Sequence, residues 1–484
     1  MKDITEYLRE KYGRWGWMGQ RAYDAEGINR ILPLDFIICC DYGNDVPYFF
    51  TEEDVFSVEK RTGVRKDWSN EDLTDSLRGA LGREIFKRWD SYGEDINLLC
   101  YRSVAALEKR ASRLKMPLRI YAVPEKIKKH FDNKILLDKN LDKLSLPRIP
   151  GKVDVLGKRT FSDVRKELSL PFVIQFPYGS SGNFTFIIKE EKEYNRLRVK
   201  WPDQPVVMRK YINGFSLNVN AVNITGENGH ETICSFPSVQ ITGLRECSNF
   251  QSAFCGNDYT AAQDIDPAMI RQVKSHVQAI GAWMASSGFR GVFGMDFVTK
   301  NGTVYPVEIN PRFQNSTSLL TSLNARDYSA ERTSLFLLHI AEFLQDKDKV
   351  LKKYLKDINK EELMDPVEGC QVILHNKMHK SVIAGDLSPG VYRMENGSLE
   401  PVKKGASFDL LQGKDEVLVT CGIPKQYSEI IPNAPVCKIQ SKKSLLNISS
   451  KKNLSQEAKK IVKSVYKELA LKAASRSELV GAKG

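Results

Sequence analysis

The sequence predicts a multidomain protein of mixed α/β and α+β class, and three observations support this prediction. The chain has 484 residues, too many for one compact core, so two to four domains are expected. Short apolar runs alternate with helical patterns over the first 130 residues, as in a parallel α/β unit. Strand patterns with turn signals return after residue 346. We therefore expect domains at residues 1–130, 131–345 and 346–484.

Composition limits the class of protein. The content of hydrophobic residues is 42% and that of charged residues is 27%, values typical of a globular protein in water. No apolar run is long enough to span a bilayer, and the first residues lack the apolar core of a signal peptide. We expect a cytoplasmic protein that has no membrane partner.

Cysteine usage and net charge add two further expectations. The nine cysteines are scattered and contain no C-x-x-C pair, which favours reduced and mostly buried thiols. The formal net charge is +12, and much of it lies in lysine pairs of the last third of the chain. Such pairs are usually solvated surface, so we expect no nucleic-acid partner, and a basic nucleic-acid binder is the alternative.

The N-terminal elements follow from short apolar runs. Strands are predicted at Phe36–Cys40, Asn97–Tyr101 and Pro117–Tyr121, and a helix at Ser103–Leu114. A strand, a helix and a strand in this order indicate a parallel sheet.

The central region has three recognisable elements. A helix begins near Asn133, and two strands, Phe172–Phe176 and Thr185–Ile188, enclose a loop rich in glycine and serine. A long helix is predicted at about Pro267–Ser287, because Asp266 is a good N-cap and proline suits the first helical position.

In the C-terminal region, strands are predicted from Gln371 to about Val419, with turns at Pro389-Gly390 and Asn396-Gly397. A last helix is predicted at about Ser455–Ala473.

The most informative segment is residues 291–312, where Asn301-Gly302 separates two strand patterns as in a β-hairpin. A two-residue turn would pair Asp296 with Val307 and place Glu308 on the opposite face. A three-residue loop with a glycine bulge would pair Asp296 with Glu308 directly.

Two adjacent carboxylates repel each other unless a cation lies between them. We therefore predict the bulged turn, with Mg²⁺ held by Asp296, Glu308 and the side-chain oxygen of Asn310. Hard oxygen ligands, few in number and completed by phosphate, suit Mg²⁺.

The pattern D-F-V-x-x-N-G-x-x-Y-x-V-E-I-N-P-R in this segment resembles the metal-binding hairpin of ATP-grasp enzymes. The resemblance implies that Asp296, Glu308 and Asn310 hold one or two Mg²⁺ ions (Mn²⁺ being the substitute) and that Arg312 meets phosphate or a developing acyl phosphate. It covers residues 95–345 well. It also implies an N-terminal pre-ATP-grasp domain, a two-lobed ATP-grasp core and a β-rich C-terminal domain.

Further segments resemble nucleotide-binding parts of this family. The loop at Gly179, Ser180, Ser181 and Gly182 is similar to the glycine-rich loop that covers the ATP phosphates. Arg209, Lys210, Tyr211 and Ile212 resemble the strand and hinge that bind adenine, and Lys134 matches the first nucleotide-binding lysine. A solvated lysine is the alternative for Lys134.

One position departs from the family pattern. The strand before the glycine-rich loop usually carries a phosphate-contacting lysine, and here that position is Gln175. Either Lys210 or Arg209 compensates for the missing charge, or the affinity for the nucleotide is modest. Arg245 is a candidate for holding a substrate carboxylate, and a surface arginine paired with Glu246 is the alternative.

The resemblance implies an ADP-forming ligase that uses ATP and Mg²⁺ to activate a carboxylate as an acyl phosphate and to join it to an amine, as in amino-acid or peptide ligation. Transfer to the thiol of an acidic carrier protein is a close alternative, which the basic surface would suit. A non-catalytic nucleotide-binding regulator is a further alternative, supported by Gln175 alone. Many related ligases are homodimers.

Overall fold

The computed structural model describes residues 4–114, 118–179, 184–226, 229–324 and 334–473. The N-terminal region consists of short strands and of helices that cover them. The strands are β1 (Arg14–Met18), β2 (Phe36–Cys39), β3 (Val55–Ser57), β4 (Val64–Arg65), β5 (Ile96–Cys100) and β6 (Leu118–Tyr121). The helices are α1 (Ile4–Tyr12), α2 (Glu26–Ile31), α3 (Val58–Thr62), α4 (Asn70–Ser76), α5 (Ala80–Tyr92) and α6 (Ala105–Leu114).

The N-terminal sheet is parallel and has the strand order β3-β2-β1-β5-β6. The chain fills one side of β1 first and then crosses to the other side, so the order reverses between β1 and β5. Ligands of open parallel sheets bind in the crevice beyond the carboxyl ends of the strands at such a switch point. The predicted strands correspond to β2, β5 and β6, whereas β1 was not predicted.

A small antiparallel sheet follows in the central region. Its strands are β7 (Gly151–Val155), β8 (Phe172–Gln175), β9 (Thr185–Ile188) and β10 (Pro205–Lys210), in the order β7-β10-β8-β9. The helices of this region are α7 (Glu125–Phe131), α8 (Lys134–Asn140), α9 (Phe161–Leu168) and α10 (Glu191–Lys200). Gln175 lies opposite Val207, and Arg209 lies opposite Val173. Because side chains alternate along a strand, Gln175 and Arg209 share one face of this sheet.

The remaining strands extend from the central region to the C-terminal region. They are β11 (Ser216–Gly226), β12 (Gly229–Cys234), β13 (Ser238–Thr242), β14 (Phe254–Asp258), β15 (Gly291–Lys300), β16 (Thr303–Asn310), β17 (Cys370–His375), β18 (Val382–Ile383), β19 (Gly390–Glu395), β20 (Ser398–Lys404), β21 (Glu416–Thr420), β22 (Glu429–Ile430), β23 (Pro435–Ser441) and β24 (Lys472–Ala473). The helices are α11 (Pro267–Ser286), α12 (Asn315–Asn324), α13 (Leu335–Leu344), α14 (Lys349–Asp357) and α15 (Gln456–Leu469).

Within the described residues, eleven of these strands form one antiparallel sheet. Its order is β16-β15-β11-β13-β14-β17-β23-β21-β19-β20, and β12 also pairs with β11. Pairing of β14 with β17 joins the strands of the C-terminal region to those that carry the predicted hairpin. The predicted division of the chain at residue 346 remains a prediction, and the predicted mixed fold class is confirmed.

Two predicted helices can be compared with the structure. Helix α11 has the expected bounds to within one residue, and Asp266 accepts a hydrogen bond from the Ala268 amide as its N-cap. The last helix was predicted to end four residues further along, at Ala473. It ends at Leu469 because Ala470 has a φ of 44°, and Lys472–Ala473 then pairs with β18 as a strand.

The thiol prediction is confirmed, since all nine cysteines are free and buried. Among the described helices, none combines the length and the apolar character that a bilayer crossing requires.

Candidate functional site

The β15–β16 hairpin pairs Asp296 with Glu308, as predicted, but the predicted cause of this register was wrong. Asn301 and Gly302 form a two-residue turn with φ angles of 50° and 77°, and Lys300 lies opposite Thr303. The extra residue is accommodated further along, between the pairs Phe297–Pro306 and Asp296–Glu308. Proline has no N–H to donate to the ladder, so a bulge next to Pro306 sacrifices little hydrogen bonding.

The hairpin brings the predicted metal ligands together. The amide nitrogen of Asn310 lies 3.3 Å from Oδ2 of Asp296, and Asn218 donates to Oδ1 of Asp296 at 2.6 Å. Nη2 of Arg312 donates to the side-chain oxygen of Asn310 at 2.8 Å. Three of the four predicted residues are therefore linked through hydrogen bonds, and Glu308 lies opposite Asp296 on the neighbouring strand.

Lys134 joins this cluster from helix α8. Its Nζ atom is 2.8 Å from Oε1 of Glu308 and donates to the Gly179 carbonyl oxygen at 3.2 Å. The side chain of Lys134 is only 4% exposed, so the alternative of a solvated lysine does not hold. The lysine connects the acidic hairpin to the start of the glycine-rich loop.

Burial raises the pKa of Asp296, although hydrogen bonds from Asn218 and other side chains oppose the shift. Burial also raises the pKa of Glu308, and the positive charge of Lys134 counteracts it. Two partly buried carboxylates on neighbouring strands favour the binding of a cation that stabilises both ionised forms.

The small sheet covers the hairpin with a face that carries Gln175 and Arg209. Gln175 donates to the hydroxyl of Thr185 at 3.3 Å. Arg209 is 3% exposed, and its Nε atom is buried without a hydrogen-bond partner. Burial lowers the pKa of Arg209, while the charges of Asp138 and Glu308 act in the opposite direction. A buried guanidinium with an unused donor is suited to an anionic ligand.

One cavity of about 1050 Å³ is lined by Gln175, Arg209, Asp296, Glu308, Asn310 and Arg312. Lys134 is not one of its lining residues and reaches the site through its contact with Glu308. The wall of the cavity also includes other predicted residues, namely Gly179, Lys210, Tyr211, Ile212 and Arg245. Ser180, Ser181 and Gly182 lie outside the described residues. The C-terminal region reaches the same cavity, because Lys452 donates to the side-chain oxygen of Asn213 at 2.7 Å.

Arg245 is exposed at the cavity wall. Its sequence neighbour Glu246 forms an ion pair with Lys459 at 3.2 Å. The alternative in which Arg245 pairs with Glu246 is therefore not what the structure has, and the role of Arg245 stays a prediction.

Comparison with known proteins identifies the central region. Residues 131–316 match the family model described as the ATP-grasp domain. This chain contains an ATP-grasp domain. The matched range includes Lys134, the small sheet and the complete acidic hairpin.

Solved structures with the same overall fold support this assignment at low sequence identity. Biotin carboxylase from Campylobacter jejuni, solved as a β-γ-ATP complex, is 13% identical, with a TM-score of 0.54 and coverage of 97% of this chain and 95% of that chain. N5-carboxyaminoimidazole ribonucleotide synthetase from Thermotoga maritima is 14% identical, with a TM-score of 0.51 and coverage of 96% and 99%.

A third structure is the biotin carboxylase domain of 2-oxoglutarate carboxylase from Hydrogenobacter thermophilus, in complex with MgADP, ADP and bicarbonate. It is 11% identical, with a TM-score of 0.51 and coverage of 89% of this chain and 86% of that chain. These structures share the fold of this chain, and one of them is a complex of that fold with MgADP.

The donor set of the ATP-grasp hairpin fits Mg²⁺. Asp296, Glu308 and Asn310 offer carboxylate and amide oxygens, which are hard ligands. Within the described part of the chain, no group of three or more His, Cys, Asp or Glu side chains is arranged to hold a metal. Two carboxylates and one amide are a partial shell, which phosphate oxygens and water would complete.

Sequence reasoning missed two arginines of the cavity wall, Arg21 and Arg102. Burial, together with the charge of Arg312, lowers the pKa of Arg102 to about 10. Arg102 follows a predicted strand directly, which was an available signal. The strand order that brings Arg21 close to Arg102 could not be predicted from the sequence.

Proposed function

We propose that this chain is an ADP-forming ligase that transfers the γ-phosphoryl group of ATP to a carboxylate. An amine then displaces phosphate from the resulting acyl phosphate, which joins the acyl group to the amine. The observation that carries this proposal is the arrangement of Asp296, Glu308, Asn310 and Arg312 on one wall of a cavity, facing a cationic sheet. Positioning and charge neutralisation are the main catalytic requirements of phosphoryl transfer.

Each side chain has a role in this reaction. Asp296, Glu308 and Asn310 would hold Mg²⁺, which supplies charge neutralisation at the phosphates when bound. Arg312 is held by Asn310 and by the Phe313 carbonyl at 3.0 Å, so its guanidinium is oriented before the substrate arrives. Preorganised charge of this kind stabilises a developing anion without reorganisation.

Exclusion of water is the second requirement, because an acyl phosphate is hydrolysed readily. Lys134 ties Glu308 to the Gly179 carbonyl, so the acidic hairpin and the start of the glycine-rich loop are coupled.

The amine acceptor is the leading choice, with amino acids or peptides as the substrate class. Loading of a carrier-protein thiol is the second candidate, and Lys451 and Lys452 at the cavity support it as a basic entrance for an acidic partner. The regulatory alternative rested on Gln175, and the buried Arg209 beside it weakens that reason. We also propose a cytoplasmic location and a homodimer.

The test is release of ADP and phosphate from Mg²⁺-ATP in the presence of pools of amino acids, other carboxylates and carrier proteins. Asp296→Asn and Glu308→Gln remove one metal ligand each, and turnover is expected to fall at least about a hundredfold in both. Asp264→Asn changes an exposed carboxylate outside the cavity and serves as the matched control.

The products decide between the mechanisms. ADP that forms only with one acid and one acceptor supports the proposal and identifies both substrates. Release of AMP and pyrophosphate would exclude the acyl-phosphate route. Tight ATP binding without turnover in any pool would favour the regulatory alternative.

A further inference from the structure

The crevice at the switch point of the N-terminal sheet opens into the cavity of the proposed ligase site. Arg21 lies three residues beyond the end of β1, and Arg102 lies two residues beyond the end of β5. Because β1 and β5 are parallel neighbours, both arginines project from the same edge of the sheet, and both line the cavity.

Arg102 has no partner that accounts for its position. Among the described residues, its side chain makes no ion pair or hydrogen bond, and its Nε atom is buried without a hydrogen-bond partner. Its guanidinium packs against the ring of Tyr101 at 5.6 Å from the ring centroid. Arg312 packs against the same ring, also at 5.6 Å.

Arg21 is also weakly paired. The carboxylate nearest to it is that of Asp67, at 3.9 Å, which is close to the limit for an ion pair. The Asp67 side chain is 47% exposed, so solvent screens this contact. Asp24 also acts electrostatically on Arg21, but among the described residues no carboxylate is closer to it than Asp67, so Arg21 has donors left for an anion in the cavity.

A buried carboxylate, Asp24, lies behind this wall. Asp24 is 3% exposed, neither of its carboxylate oxygens accepts a hydrogen bond, and it interacts electrostatically with Arg21, Arg102, Arg312 and Lys438. Other carboxylates also act on these cations: Asp132 on Arg102 and Arg312, Asp67 on Arg21, and Asp296 and Glu308 on Arg312. Among the described residues none of them makes an ion pair with Arg102, so an anion from a ligand would use the donor that Arg102 has free.

We propose that Arg21 and Arg102 form a subsite for a second anionic group of the substrate, a carboxylate or a phosphate, separate from the carboxylate that is activated near Arg312. The guanidinium fork matches both groups with two parallel hydrogen bonds. The substrate class is then a dicarboxylic or a phosphorylated acid. This assignment of a substrate class rests on the proposed ligase function, whereas the anion subsite itself does not.

The test measures anion binding directly by calorimetry. The probes are succinate and inorganic phosphate, with butyrate as the singly charged comparison, and Mg²⁺ with a non-hydrolysable ATP analogue fills the nucleotide site. We expect saturable binding of succinate or phosphate, weakened at least about tenfold by Arg21→Gln and by Arg102→Gln. Arg88→Gln, which changes an exposed arginine on α5, is the matched control.

The thermal stability of Arg102→Gln is measured in parallel. Replacing Arg102 leaves no hydrogen-bond or ion-pair partner unpaired among the described residues. The melting temperature of the Arg102→Gln variant is therefore expected to match or exceed that of the unmodified protein. A loss of anion affinity with unchanged stability supports a binding role, and the probe that binds more tightly distinguishes a phosphorylated acid from a dicarboxylic acid.

Three results would overturn the subsite. The first is that neither succinate nor phosphate binds saturably at millimolar concentrations. The others are that both arginine variants bind these anions as tightly as the unmodified protein does, or that butyrate binds as tightly as succinate. Failure of the ATP analogue to bind would count against the ligase function instead, because the anions are also titrated without nucleotide.

Discussion

Arg209 lies on the face of the small sheet that lines the cavity. It is two residues along β10 from Val207, which lies opposite Gln175. Among the described residues its side chain has no ion-pair or hydrogen-bond partner, although Asp138 and Glu308 are near enough to influence its pKa. Retaining an unpaired buried cation is costly, so a ligand that pairs with it is the simplest reason for its presence. We interpret Arg209 as the source of the charge that Gln175 does not provide.

Replacing Arg209 by glutamine is expected to weaken ATP binding by about tenfold or more, because a charge-assisted contact to phosphate is lost. Gln175→Lys in the same protein is expected to restore part of the affinity, since position 175 shares the cavity face. Calorimetry with the non-hydrolysable ATP analogue measures both effects.

Arg196→Gln, on the exposed side of helix α10, is the control for this experiment. Unchanged nucleotide affinity in Arg209→Gln would show that Arg209 does not contact the phosphates. No gain in affinity from Gln175→Lys would show that a side chain at position 175 does not reach them.

At the scale of elements, the imidazole of His339 forms a hydrogen bond between helix α13 and strand β15. Nδ1 of His339 accepts a hydrogen bond from the Val292 amide at 2.9 Å, and Nε2 lies 3.1 Å from the Tyr121 carbonyl oxygen. This pattern requires a neutral ring with its proton on Nε2. Burial lowers the pKa of His339 to about 4, because the charged form would be desolvated and would lose the Val292 bond.

The free energy of unfolding is therefore expected to fall as the pH is lowered from about 6.5 towards 4. In this range the unfolded chain binds a proton at His339 that the folded chain does not, and the stability is fully present above the unfolded pKa. The contribution is about 3 kcal/mol at most. Urea unfolding at a series of pH values measures it, and His339→Gln is expected to reduce the slope.

His230→Gln, which alters an exposed histidine on β12, should leave the slope unchanged. His375 has a pKa lowered to about 4 by burial as well, so part of the slope is expected to remain in His339→Gln. An identical slope in His339→Gln and the unmodified protein would contradict the prediction.

At the scale of the whole molecule, one small sheet joins the N-terminal region to the C-terminal region. Strand β4 pairs with β22, and β18 joins β22 to β24 near the C-terminus. Asp45 reinforces this contact by accepting hydrogen bonds from the amides of Gly422 and Ile423, each at 2.9 Å. The N-terminal sheet that forms one wall of the cavity is thereby held against the C-terminal strands.

Asp45→Ala is expected to lower the stability of the protein by about 2 to 4 kcal/mol, because two buried amides lose their acceptor. Asp45→Asn keeps one acceptor oxygen and is expected to lose less. Urea unfolding measures these differences, with Asp90→Ala on the exposed face of α5 as the control. An Asp45→Ala variant as stable as the unmodified protein would show that the two hydrogen bonds contribute nothing.

Periodicity and capping residues, which act over a few positions, were sufficient for much of the local structure. Helix α11 follows from its apolar spacing, Asp266 and Pro267, and the hairpin follows from Asn301-Gly302 between alternating strands. The C-terminal end of α15 could not be predicted in this way, because pairing of Lys472–Ala473 with β18 depends on a strand about ninety residues earlier.

The sequence by itself determined that this protein has an acidic hairpin of ATP-grasp type, because the spacing of Asp296, Glu308, Asn310 and Arg312 is a property of two adjacent strands. The tertiary structure alone decided where the bulge lies, which face Arg209 shares with Gln175, and that Arg21 and Arg102 enter the same cavity. These features depend on strand order and on contacts between distant segments. Such contacts form only when the chain buries its apolar surface as a whole, and no short window of sequence specifies them.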